Sequence, residues 1–172
     1  MKLERSLLGE RIVIRGYTRA DLAFSTDMWF DPENGKYLSD PTREYVDAVY
    51  QKALDGMEDS ADGYYLVAEL RSSGERIGTC CAFPDGDGKV YDIGYCIHKS
   101  RWRQGFGAEM VNLLVGWVRE LGGTAVTAEA ARENRASCAL LEKCGFTAVR
   151  EASFKKYHMD IAFDSFIYEK KL

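Results

Sequence analysis

The segment Lys99-Ser100-Arg101-Trp102-Arg103-Gln104-Gly105-Phe106-Gly107 holds three cations and no anion, in a chain whose formal net charge is −4. It leads directly into a helical stripe of Met110, Leu113, Leu114, Trp117, Val118 and Leu121. A helix N-terminus offers N–H groups without intrahelical partners and a partial positive charge, which together receive phosphate. Glycines at 105 and 107 remove the Cβ atoms that would hold a pyrophosphate off the backbone. A tight strand-to-helix turn with solvated basic side chains would read the same way, and Gly-x-Gly alone does not separate the two. No Gly-Lys-Ser/Thr follows, so this is not a P-loop. The preceding strand ends a meander, so it is not a dinucleotide fingerprint either.

The five cysteines (Cys80, Cys81, Cys96, Cys138, Cys144) are odd in number and form no CxxC, which supports neither a disulfide framework nor a zinc site. Most fall inside apolar patterns, where a free thiol acts as a small hydrophobe, and a reducing cytoplasm is the simplest setting. His98 and His158 are far apart and no HExxH occurs, so no metal is expected. The pI of about 5.3 argues against nucleic acid as a partner. No apolar run is long enough for a membrane span, and the mixed charges of Met1 to Arg5 lead into no secretory apolar segment.

The 172 residues, 46% apolar and 29% charged, read as one domain over positions 1–172. Glu10 to Tyr17 alternates as a first strand. Thr18-Arg19-Ala20-Asp21 resembles a capping box opening a helix with Leu22, Met28 and Trp29. That helix breaks at Asp31-Pro32-Glu33-Asn34-Gly35. A second helix is predicted from Pro41-Thr42 through Val46, Val49, Tyr50, Ala53, Leu54 and Met57. Three strands follow as a meander, Tyr64 to Leu70, Arg76 to Phe83 and Lys89 to Ile97. In the last of these Tyr91, Ile93, Tyr95 and Ile97 share one face and Asp92, Gly94 and Cys96 the other. After the 110–121 stripe come a strand over Thr124 to Ala130, a short helix over Asn134 to Cys144, and strands from Phe146 to Arg150 and Ile161 to Tyr168. The order β-α-α-β-β-β-α-β-α-β-β gives an α+β fold, a mixed and mostly antiparallel sheet with helices on both faces.

Trp102-Arg103-Gln104-Gly105-Phe106-Gly107-Ala108-Glu109, together with Asn134-Arg135-Ala136-Ser137 and Cys144-Gly145-Phe146 one strand downstream, resembles the GNAT acetyltransferase superfamily. The likeness is to its ribosomal-protein-N-acetyltransferase-like branch, with W-x-x-G-x-A/G-x-E and an N-x-x-S followed at the end of the same helix by G-F as recurring patterns. The strand order matches that fold over nearly the whole chain. The resemblance implies acetyl-CoA as donor, its pyrophosphate on the Gln104 to Ala108 turn with Arg103 in the basic approach. It also implies that the strands around the 106–121 helix splay to admit the pantetheine arm. Gly94 fits either a close approach there or a simple bulge.

Acetyl transfer to an amine needs a base or water relay, an oxyanion donor and an acid for the leaving thiolate. Asp92 lies where related enzymes place a carboxylate, although a surface aspartate is an equal reading; Glu129 and Glu133 are weaker alternatives. The resemblance suggests the backbone N–H of Cys96 or Ile97 for the oxyanion. Many relatives use a tyrosine seven residues after the motif asparagine, where this chain has Leu141. Ser137 matches the branch's serine and is a candidate donor to the sulfur, against an ordinary first-turn role. Asn134 belongs to the same coenzyme-side motif and is also a natural N-cap. His98 and His158 read as solvated or structural rather than as relays.

In that fold the first two helices cover the acceptor cleft. Trp29, Phe30, Tyr37 and Tyr45, interleaved with Asp27, Asp31, Glu33 and Asp40, suit a cationic amine, although core anchoring and a solvated face account for most of them. The expected activity is direct N-acetylation of a peptide N-terminus or small cationic amine by a monomer or homodimer. A non-catalytic acyl-CoA-binding regulator is the alternative.

Overall fold

Alternating apolar residues drive eight strands into a single sheet in the computed structural model, which describes residues 1–39, 47–157 and 159–172. The elements are β1 (Leu7–Leu8), β2 (Ile12–Gly16), α1 (Leu22–Phe30), α2 (Ala48–Gly56), β3 (Tyr64–Leu70), β4 (Arg76–Pro84) and β5 (Val90–Ile97). They continue with α3 (Phe106–Glu120), β6 (Ala125–Ala131), α4 (Arg135–Lys143), β7 (Thr147–Lys155) and β8 (Ala162–Lys171). The sheet order is β1-β2-β3-β4-β5-β6-β8-β7. All neighbours are antiparallel except β5 and β6, which α3 connects as a crossover.

The expected order is present with one strand added. β1 has only two residues, too few for alternation to register, and pairs through Leu7 with Ile14 and Leu8 with Val13. β7 and β8 both run further than their apolar cores suggest, because strand pairing continues through polar residues such as Ser153 opposite Asp164. The Asp47 carboxylate accepts from Tyr50 N (2.7 Å) and caps α2, which begins at Ala48. Pro41, Thr42 and Val46 lie outside the described residues. Tyr50 and Leu54 of the expected stripe are buried, whereas Val49 is 70% exposed. Leu121 is likewise exposed, because α3 ends at Glu120 and Gly122 turns the chain with φ +83°.

The core lies between the sheet and α3 with α4, where Met110, Val111, Leu114 and Leu141 meet Ile12, Ile14, Ile77, Ile93 and Val126. On the opposite face Met28, Trp29, Tyr50 and Leu54 form a second cluster, anchored where Trp29 Nε1 donates to Thr79 Oγ1 (3.0 Å). The start of α1 is fastened by Asp21, whose side chain has no exposure. Its carboxylate accepts two bonds from Arg15 (2.8 Å each), one from Arg76 Nε (2.6 Å) and two from Thr18 (2.9 Å each). The Thr18–Asp21 pairing read from sequence is thus one part of a hub joining β2, β4 and α1.

Candidate active site

The approach to α3 places two residues at positive φ, Arg103 at 58° and Gly105 at 84°. Gly105 is the N-cap, and the first-turn N–H groups after it, those of Phe106, Gly107 and Ala108, have no intrahelical acceptor. A β-branched residue at φ +84° is strained by roughly 1–3 kcal/mol, and a Cβ there would also stand 3.3 Å from Arg11 Nη2. Gly107 acts differently. A Cβ on it would lie 2.6 Å from Leu140 Cδ1, so this glycine lets α4 pack against α3.

The motif glutamate, Glu109, is an anchor rather than an acid for chemistry. It accepts from the backbone N–H of Arg11 (2.7 Å) and Ile12 (3.2 Å) and from Arg11 Nε (2.9 Å), tying the first turn of α3 to β2. Burial opposes its ionisation, but these bonds outweigh burial and hold the carboxyl below its ordinary value. Arg11 also donates to Gln104 O (2.8 Å) and covers the Phe106 ring. Trp102 Nε1 donates to Ile97 O (2.7 Å), folding the turn back on the end of β5. Two of the three cations are engaged: Lys99 pairs with Asp31 (2.6 Å) and Arg101 with Glu75 (2.5 Å). Arg103 makes no ion pair among the described residues, and it is exposed beside the turn.

Beside this turn the sheet opens. β5 and β6 pair at Val90–Ala125, Tyr91–Val126 and Asp92–Thr127, and there the pairing stops. β5 continues along β4 to Ile97, while β6 continues along β8 to Ala131. The bond from His98 N to Ile77 O (2.8 Å), with that from Asp85 N to Val90 O, fixes the antiparallel phase, so even-numbered residues of β5 bond to β4. Tyr95 and Ile97 therefore direct main-chain N–H groups into the gap. Cys96 has its main chain turned toward Thr79, and its thiol, pushed up to about 12 by burial, accepts from Asn34 Nδ2 (3.1 Å). Gly94 shows no bulge; a Cβ there would meet Cys81 Sγ at 2.8 Å.

Asp92 stands at the fork of the two strands and accepts from Thr127 Oγ1 (2.8 Å) across them. Solvent reaches it, yet surrounding protein raises its pKa, the Thr127 bond opposing and the Glu129 charge adding to the rise. Glu129, two residues past Thr127 and on the same face, is held by Ser165 Oγ of β8. Glu133 lies beyond the strand end, exposed, with its carbonyl beside Tyr37 OH (3.4 Å). On the opposite face of β5, Tyr95 OH meets Ser137 Oγ at 2.8 Å, and burial raises the pKa of that phenol. Asn134 Oδ1 caps α4 by accepting from Ser137 N (3.2 Å), and Leu141 is fully buried.

His98 caps the 3-10 turn after β5 through Ser100 and is not aimed into the gap. Trp29 is a core anchor, and Asp31 caps its own turn by accepting from Glu33 N and Asn34 N. Tyr37 packs edge-on to Phe163 (5.4 Å), which adjoins Phe154 (5.5 Å), forming an aromatic border near the acidic face. Tyr45, Asp40 and His158 lie outside the described residues. Sequence reasoning missed Asn34, which is buried and bridges Ile97 O (3.1 Å) and Lys99 N (2.6 Å), and so couples the 31–39 loop to the end of β5. A loop asparagine carries no sequence signal for that role.

If the coenzyme pyrophosphate rests on this turn, as the sequence resemblance implies, replacing Gly105 by valine is expected to weaken coenzyme A binding by about 10–100-fold, because roughly 1–3 kcal/mol of backbone strain would drive the turn out of this conformation. Calorimetric titration measures this. An unchanged affinity would remove the turn from the coenzyme site.

Residues 11–147 match the sequence profile of the acetyltransferase (GNAT) domain. An uncharacterised N-acetyltransferase p20 from Bacillus licheniformis is 25% identical over 150 residues, 82% of each chain. Among solved structures, a GNAT-family acetyltransferase from Bacillus anthracis superposes with a TM-score of 0.81 at 17% identity, covering 97% of this chain and 98% of that one. A spermidine N-acetyltransferase from Vibrio cholerae, in complex with CoA and spermine, gives 0.79 at 16% identity over 94% and 95%. A ribosomal L7/L12 α-N-protein acetyltransferase in complex with coenzyme A gives 0.82 at 14% identity over 98% of both chains.

Proposed function

Because this chain belongs to the GNAT acetyltransferase family and is an acetyl-CoA-dependent N-acetyltransferase, we propose that it moves the acetyl group directly to a primary amine carried by a small cationic molecule or a peptide N-terminus. The observation that carries this reading is the end of β5–β6 pairing at Asp92 and Thr127, beside the glycine turn at the start of α3. An extended pantetheine arm adds to the free side of β5 as a strand would, with the N–H groups of Tyr95 and Ile97 as donors. Gln104, Gly105, Phe106, Gly107 and Ala108 receive the pyrophosphate, with Arg103 as the cation not already spent on a carboxylate and Asn134 at the neighbouring cap. The Ile97 N–H, rather than that of Cys96, supplies the oxyanion contact.

Asp92 is the base, taking the proton that an ammonium must lose before its nitrogen can attack. Its elevated pKa brings it nearer the range where a base is effective. Asp92 and Glu129 share the face opposite α3, so the acceptor approaches an acidic surface, which favours a cationic amine. Fold likeness to both a spermidine and a ribosomal-protein acetyltransferase supports an amine acceptor without choosing the ribosomal-protein branch. Residues 1–172 act as one catalytic domain, since β8, beyond the matched region, lies between β6 and β7 in the same sheet. Five cysteines, odd in number and with no CxxC, favour a reducing cytoplasm.

Acetyl-CoA at a hundred times its Kd should raise stability by roughly 2.7 kcal/mol, a Tm increase of about 5–10 °C. Thiol release should then depend on added amine, with polyamines and peptide N-termini as the two panels to compare. Coenzyme binding without amine-dependent thiol release from any primary amine would support the binding-only alternative. No shift with millimolar coenzyme would refute the donor site.

A further inference from the structure

Leu141 occupies the α4 position where a tyrosine acid is expected, and it is fully buried. Another tyrosine reaches the same helix from the sheet. Tyr95 leaves β5 in the stretch that no longer pairs with β6 and places its hydroxyl 2.8 Å from Ser137 Oγ, one helical turn before Leu141. We propose that Tyr95 is a positioning residue which donates to Ser137 Oγ and so aims the Ser137 hydrogen at the sulfur of the leaving coenzyme thiol. This rests on the acetyl-CoA reading above.

Two hydroxyls carry two hydrogens, and the bond between them consumes one. If Tyr95 donates it, the Ser137 hydrogen is free to turn toward the gap. Burial disfavours loss of the Tyr95 proton, so the phenol remains a donor. Ser137 itself is held by the α4 cap, its N–H bonded to Asn134 Oδ1. Strand alternation puts Asp92 and Tyr95 on opposite faces of β5. The amine thus arrives and is deprotonated on one side of the opening, and the sulfur departs on the other. As the nitrogen bonds to the acetyl carbon, the C–S bond breaks and sulfur keeps the electron pair. The first ammonium proton has passed through Asp92 to solvent before attack, and the second N–H proton follows the same route as the amide forms. The Ser137 hydrogen bond stabilises the thiolate, which then takes a proton from water.

The test needs no knowledge of the acceptor. Coenzyme A is bound to the wild type and to Tyr95→Phe, Ser137→Ala and the double variant, and the bound thiol is titrated by thiolate ultraviolet absorbance. Calorimetry gives affinity and a melting curve confirms folding. A hydrogen bond to the charged sulfur lowers the thiol pKa, so Ser137→Ala should raise it by about one pH unit, a tenfold change in ionisation. Tyr95→Phe should raise it in the same direction, and the double variant should equal Ser137→Ala rather than the sum. A folded Tyr95→Phe that binds coenzyme A with an unaltered thiol pKa overturns the inference alone, as do additive effects. Failure of the wild type to bind coenzyme A overturns the donor reading itself, and this inference with it.

Discussion

Asp92→Asn is expected to lower kcat by about 10²–10⁴-fold, the usual contribution of a positioned general base, which is the role proposed for Asp92. Asparagine preserves the size of the side chain and the bond from Thr127 Oγ1, so coenzyme affinity and Tm should stay near those of the wild type. The pH profile separates loss of a base from loss of shape. A base works only when deprotonated, and the Asp92 pKa is raised, so wild-type kcat/KM falls as pH drops through that raised value. In Asp92→Asn this acidic limb is lost. In Glu129→Gln a neighbouring negative charge is gone, so Asp92 ionises more readily and the limb moves to lower pH. Steady-state rates over pH with the best amine found give all three profiles. If Asp92→Asn keeps both its rate and its acidic limb, the proton leaves by another route, and Glu129 and Glu133 become the candidates to replace.

The largest stability effect is expected at Asp21. Removing its carboxylate in Asp21→Ala leaves Arg15 and Arg76 facing a buried void where a shared counter-charge had been. Breaking such a buried pair costs about 3–5 kcal/mol, which for a chain of this length is a fall in Tm of about 10 °C. Burial opposes ionisation of Asp21, but bonds from Arg15, Thr18 and Arg76 outweigh it and depress the folded-state pKa well below the usual carboxylate range. Linkage then fixes the sign. The stabilisation is fully present above the unfolded value near about 3.9 and fades as pH falls through the depressed folded value. The Tm difference between wild type and Asp21→Ala should therefore be constant from neutral pH to about 4 and narrow only below it. A difference under about 2 °C at pH 7 would show that Arg15, with Glu69 still beside it, retains enough pairing without Asp21.

Asp21 illustrates what a sequence shows of a local contact and hides of a long-range one. The Thr18-x-x-Asp21 spacing is visible because the capping partners are three residues apart. Arg76 is invisible because it arrives 55 residues later along a different strand. Glu109 has the same character. Its motif position was plain, but the Arg11 and Ile12 donors that make it an anchor lie 98 and 97 residues away.

By itself the sequence determined the helices and strands whose residues repeat with period two or 3.6, since burial of one face forces that repeat wherever an element is long enough to show it. It also marked the turn that opens α3, because Gly105 supplies a positive φ that few other residues adopt at low cost. It did not show β1, with two residues, or the polar cap at Asp47 that opens α2. Only the tertiary structure decided where β5 parts from β6, because strand separation depends on which neighbour each backbone bonds to and not on side-chain type. The same register decided that Tyr95 and Ile97 face the opening while Cys96 does not. It also set Tyr95 against Ser137, a pair 42 residues apart whose meeting depends on how α4 packs against the sheet.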